Sequence, residues 1–79
     1  MTKEIKRELK IGDKLKRTGE NYEQVFCEDV VTITELCNFS GDNYPSEIRC
    51  NIGGSFKYDL DKFELVSKKE QIVDNYSIY

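Results

Sequence analysis

The pair Gly53-Gly54 constrains this chain more than any other feature. Before it, Ile48, Cys50 and Ile52 alternate with Arg49 and Asn51, the period-two pattern of a strand with one buried face. After it, residues 55–58 resume a strand-like run containing Phe56 and Tyr58. Glycine takes positive φ without a Cβ clash. Two such residues between alternating runs predict a tight β-hairpin.

The other segments are short. Residues 30–36 set Val31 and Ile33 on one face and Thr32 and Thr34 on the other, a half-buried strand. Gly12-Asp13 marks a turn into a strand at 14–18, whose lysines suit a sheet edge. Residues 24–27 read as a brief strand that Glu28-Asp29 breaks. Residues 38–46 hold Ser40-Gly41-Asp42-Asn43 and the only proline, Pro45, and form the clearest loop. Asp59 to Lys62 suits one 3₁₀ turn before a last strand at 63–66.

The ends differ in character. Ile5 and Leu9 stand four apart, which fits one or two helical turns or an extended lead-in. Ser67-Lys68-Lys69-Glu70 is a capping-box pattern, and Ile72, Val73 and Tyr76 would share one face of a helical tail. The expectation is a single, mainly all-β domain. A five-stranded SH3-like barrel spans residues 11–66, with an arm at 1–10 and an amphipathic tail at 67–79. The predicted core is Ile11, Leu15, Val31, Ile33, Ile48, Cys50, Ile52, Tyr58, Leu60, Phe63 and Leu65, with Phe56 in it or at its rim.

Three segments resemble a set of small bacteriophage proteins that share this SH3-like fold. Ile11 to Lys16, IGDKLK, looks like their opening strand. Residues 28–36, EDVVTITEL, resemble the strand after their diverging turn, with Glu28-Asp29 standing where those proteins commonly carry Gly. Residues 56–66, FKYDLDKFELV, are similar to their ending, with Tyr58 in the place of an aromatic before the last turn. The resemblance implies a phage or mobile-element origin and a part in manipulating host machinery. It supplies no catalytic motif.

Charge is unevenly placed. Residues 1–17 carry seven cations and three anions (+4), residues 18–66 three cations and ten anions (−7), and the remainder balances, which returns the net −3. An acidic body repels phosphate, so a broad nucleic-acid surface is disfavoured. The alternative of a nucleic-acid-associated domain would use the basic set Lys3, Lys6, Arg7, Lys10, Lys14, Lys16 and Arg17. The 79 residues include no His, which removes the commonest general base and metal ligand, and a chain this short buries only about 60% of its unfolded surface. An enzyme is therefore not expected, and neither is a cofactor or a metal. The spacing of Cys27, Cys37 and Cys50 fits neither a disulfide framework nor a zinc site, and Cys27 and Cys50 read as half-buried strand residues. No apolar run approaches the roughly 20 residues of a membrane span, and the charged N-terminus lacks a signal-peptide pattern, so a cytoplasmic location is expected.

Binding is the remaining class. Nine aromatics exceed what so small a core needs. Tyr22, Phe39 and Tyr44 sit in polar, loop-like surroundings. With Pro45, and with Glu20, Glu23 and Asp42 beside them, they make a candidate aromatic patch rimmed by acids. Such a patch suits a basic or amphipathic segment of a partner protein, a host protein if the chain is phage-encoded. Self-association through an edge strand or the tail is a further expectation.

Overall fold

The ten-residue strand Val30–Phe39 organises the computed structural model, which describes residues 1–68. The chain runs through a helix α1 (Lys3–Glu8), strand β1 (Lys14–Arg17), the long strand β2 (Val30–Phe39), β3 (Pro45–Cys50) and β4 (Tyr58–Asp59). A 3₁₀ turn (Leu60–Lys62) then leads into β5 (Phe63–Ser67). All pairings are antiparallel, in the order β4-β3-β2-β1-β5. The fold is mainly β, as the sequence predicts, and this strand order is the one an SH3-like barrel uses.

β2 serves two ladders. Its first half pairs with β1 (Leu15↔Val31) and its second with β3 (Leu36↔Ile48), with a register shift between Ile33 and Glu35. A bulge bends a strand and increases its twist, so the two halves wrap one core. Leu9, Leu15, Val25, Val31, Ile33, Ile48, Cys50, Tyr58, Leu60 and Phe63 fill it, and Met1, Ile5, Leu36, Ile52 and Leu65 pack against it.

Several expectations are corrected. β1 is not an edge strand: β5 returns after the 3₁₀ turn and pairs along it, Arg17↔Phe63 and Leu15↔Leu65. Its lysines face outward, Lys16 between Glu28 at 3.5 Å and Glu64 at 3.6 Å. Ile11 is 59% exposed because Gly12, at φ 101°, turns the chain there and donates its N–H to the Ile33 carbonyl. Leu9 enters the core instead. Residues 24–27 form no strand. Val25 bridges Tyr22 within a loop and is fully buried, while Cys27 is exposed. Cys37 and Pro45, absent from the predicted core, are buried, and Pro45 opens β3 rather than lying in a loop.

The hairpin β3–β4 exists, with Gly53 and Gly54 both at positive φ, but its connection covers residues 51–57. Asn51 ends the ladder early: its N–H donates to the Thr32 carbonyl while its side-chain oxygen accepts from the Thr32 N–H. Gly53 then passes against the Tyr58 hydroxyl so closely that a Cβ would collide with it. Phe56, expected in or beside the core, is 43% exposed on this loop. The capping-box tail falls mostly beyond the described residues. Its first residue, Ser67, ends β5.

The N-terminal arm carries α1, Lys3–Glu8, and packs against the body through buried Lys6 and Leu9. Thr2 caps α1 by accepting from the Ile5 N–H. Leu9 is buried, and the buried Asp13 carboxylate accepts from the Lys10 N–H and from Lys68 Nζ at 2.9 Å each. Lys68 Nζ also donates to the Glu8 carbonyl. Among the described residues no helix is long and apolar enough to cross a membrane.

Candidate partner-binding surface

The loop between β1 and β2, residues 18–29, is tied down at both ends. Thr18 and Gly19 donate to the Lys62 carbonyl of the 3₁₀ turn. Arg17 and Asp29, and Glu28 and Arg17, close its base through backbone bonds. At its tip Tyr22 and Val25 exchange both backbone hydrogen bonds, at 2.9 and 3.0 Å. Glu23 takes the positive φ of 54° that this tight turn requires. Burial of Val25 anchors the tip, and Asn21 and Asp29 side chains accept from Cys27 and Phe26.

This hydrogen-bonded loop presents Tyr22. Its ring meets Tyr58 edge-on, centroids 5.7 Å apart at 90°, and is 47% exposed. Beside it opens a cleft of about 240 Å³, lined by Arg17, Glu20, Tyr22, Glu47, Lys57, Asp59 and Lys62. Burial pushes the Tyr58 phenol above its ordinary value, and its hydroxyl makes no side-chain hydrogen bond. The Tyr58 ring thus backs that of Tyr22. The Cys50 thiol is likewise pushed up by burial.

The other predicted binding residues lie elsewhere. Asp42 and Tyr44 sit beneath α1: Lys3 and Lys6 stand 5.9 and 5.4 Å from the Tyr44 ring centroid, Lys3 pairs with Asp42 at 3.7 Å, and Arg7 Nε donates to the Asp42 carbonyl. Phe39, 55% exposed, ends β2 opposite Pro45, which is buried and presents no surface. Tyr22 and Glu20 thus share one site, Glu23 flanks it at the loop tip, and Tyr44 and Asp42 belong to another.

The basic set is dispersed as well. Lys6 Nζ binds Asp61 at 2.8 Å with its side chain 11% exposed, and this bond holds the Asp61 carboxyl below its ordinary range. Lys14 Nζ donates to Thr32, and Lys16 is raised by Glu28 first and then Glu64. Lys10 is exposed, and Arg17 is 3% exposed inside the cleft.

Sequence reasoning missed Glu47, Lys57, Asp59 and Lys62 as cleft residues, and placed Arg17 with the arm. One signal was available for Arg17. It stands two residues after the core residue Leu15 in a strand, so it faces inward. The chain matches no family model, no curated protein and no solved structure.

Proposed function

We propose that this chain is a non-enzymatic protein-interaction module that binds and modulates a partner protein through the cleft beside Tyr22. The observation that carries this reading is a half-exposed aromatic, seated edge-on against the buried Tyr58, that lines a charged cleft. Rigid aromatics lose little conformational entropy on binding and are over-represented among the residues that dominate interface energies. The resemblance to small phage proteins makes the partner a bacterial host protein and the outcome inhibition or redirection of its activity. For the nucleic-acid alternative, Lys3, Lys6, Arg7 and Lys16 would first have to leave their present protein partners.

The test is a pull-down from bacterial lysate with the full chain and its Tyr22→Ala variant. The expected result is a stoichiometric protein partner whose affinity falls by about 1–2 kcal/mol in a variant that still folds, with thermal unfolding lowered only by the lost contact with Tyr58. Equal capture by both forms overturns the assignment to this cleft. Capture of no protein, with salt-dependent duplex binding in its place, would establish the nucleic-acid alternative.

A further inference from the structure

The cleft has an unusual charge arrangement. Its three cations, Arg17, Lys57 and Lys62, make no ion pair with any described residue, although Glu20, Glu47 and Asp59 line the same space. Two of those acids are engaged elsewhere. Asp59 accepts from the Asp61 N–H as the cap of the 3₁₀ turn, and Glu47 accepts from the Asn38 side-chain amide.

Arg17 is the centre of the arrangement. It is 3% exposed, its Nε donates to the Glu20 carbonyl at 3.0 Å, and its guanidinium lies 5.1 Å from the Phe63 ring centroid. Its terminal nitrogens make no hydrogen bond to a described residue, and the side chain lines the cleft. A buried lysine can shed its proton, but a guanidinium cannot, so this charge is permanent. No terminal nitrogen of Arg17 is both buried and unpartnered, so these donors open to the cleft, where a charge this deep and with no counter-ion among the described residues is incompletely solvated.

We infer that the cleft receives a carboxylate, the side chain of an acidic residue on the partner segment, with Arg17 as its receptor and Lys62 and Lys57 at its flank. A planar fork of N–H donors matches a carboxylate in a bidentate pair. The acids around the cleft repel a dianion and tolerate a monoanion whose neighbours carry positive charge, so an acidic side chain next to basic ones fits better than a phosphate. Tyr22 would cover that segment at the cleft mouth. The inference rests on the protein-interaction reading above and adds the chemistry that the partner must present.

The experiment is a ¹H–¹⁵N NMR titration of the full chain with sodium acetate, matched at each point by sodium chloride of equal ionic strength and by inorganic phosphate. The expected result is a saturable shift, specific to acetate, at Arg17 Nε–H and at the Glu20, Tyr22 and Lys62 amides. Lys62→Gln, at an exposed position whose backbone carbonyl is kept, weakens it about threefold. Arg17→Met abolishes it; because Arg17 also packs on Phe63, the Lys62 variant keeps the test valid if Arg17→Met unfolds. Shifts equal to the chloride control, or tighter binding of phosphate, overturn the inference. Partner capture that falls with Tyr22→Ala while acetate leaves Arg17 unmoved would overturn the carboxylate and leave the interaction module standing. Acetate binding together with partner capture indifferent to Lys62→Gln would overturn the partner side chain in favour of a free small carboxylate.

Discussion

Two regions of this protein hold buried or half-buried cations, and they treat them oppositely. At α1, Lys6 is taken out of solvent and met by Asp61 and the Tyr44 ring, while Lys3 and Arg7 are met by Asp42. At the cleft, Arg17 is more deeply buried and forms no ion pair with a described residue, although Glu20, Glu47 and Asp59 line the same space. The first region closes its electrostatics internally and so has little left to offer a partner. The second leaves its charges open, which is what a recognition site requires, and such sites are commonly bought with stability.

The largest expected effect tests whether the α1 region is structural. Asp13→Ala removes a fully buried carboxylate that joins the end of α1, the start of β1 and Lys68. It also leaves the Lys10 N–H without that acceptor. A loss of about 3 kcal/mol is expected in urea unfolding, the lower end for breaking a buried pair, since Lys68 is partly exposed. A loss below 1 kcal/mol would mean that α1 is loosely held, and the contrast with the cleft would weaken.

The next effect concerns the support beneath Tyr22. Gly53 sits at φ 87° against the Tyr58 hydroxyl. Gly53→Ala should cost about 2 kcal/mol from backbone strain and collision together. Adding Tyr58→Phe removes the colliding oxygen, which itself makes no side-chain hydrogen bond, and should recover part of the loss in a double-mutant cycle. Additive costs would place the strain in the backbone alone and detach Tyr58 from the shape of the cleft.

A smaller effect bears on the comparison directly. Arg17→Met keeps most of the volume and removes a charge, 3% exposed, that forms no ion pair with a described residue. The Glu20 carbonyl that it frees lies on an exposed residue and can be rehydrated. Removal of the charge offsets the lost hydrogen bond and ring contact, so a net change within about 1 kcal/mol is expected in urea unfolding. A cost of several kcal/mol would show that Arg17 is a structural cation like Lys6.

Much of the fold was legible because period-two patterns survive in the sequence. Leu15, Val31, Ile33, Ile48, Tyr58, Leu60 and Phe63 all alternate or flank a turn as core residues do, and all are buried. What escaped depended on single side chains replacing backbone. Asn51 pairs with Thr32 through its amide and lengthens the hairpin loop, and Gly12 turns Ile11 out so that Leu9 turns in. The site was legible in part. Tyr22 and Glu20 belong together because one loop carries both, whereas Tyr44 packs against the lysines of α1 and does not line the cleft, a contact between residues distant in sequence. No local pattern announces that lysines at 3 and 6 will pack on an aromatic at 44.

The smallest effect is a pH dependence confined to the α1 region. The hydrogen bond from Lys6, with its charge, lowers the Asp61 carboxyl from the ordinary 3.8. A carboxyl depressed on folding stabilises the folded state above its unfolded value, and that contribution disappears as the pH falls through the lower, folded value. Because the Asp61 side chain is 64% exposed, solvent screens the pair, and its worth is about 0.5 kcal/mol. Between neutral pH and the region below 3.8, NMR should therefore show the Lys3–Glu8 amides gaining exchange before the β1 and β2 amides do. Asp61→Asn should produce the same loosening at neutral pH and remove its acid dependence. The cleft, whose cations form no ion pair with a described residue, should keep the exchange protection of its Tyr22 and Val25 amides through that window. If those two amides lost protection together with the Lys3–Glu8 amides, the two regions would open as one unit, and the distinction between a closed and an open cation site would fail.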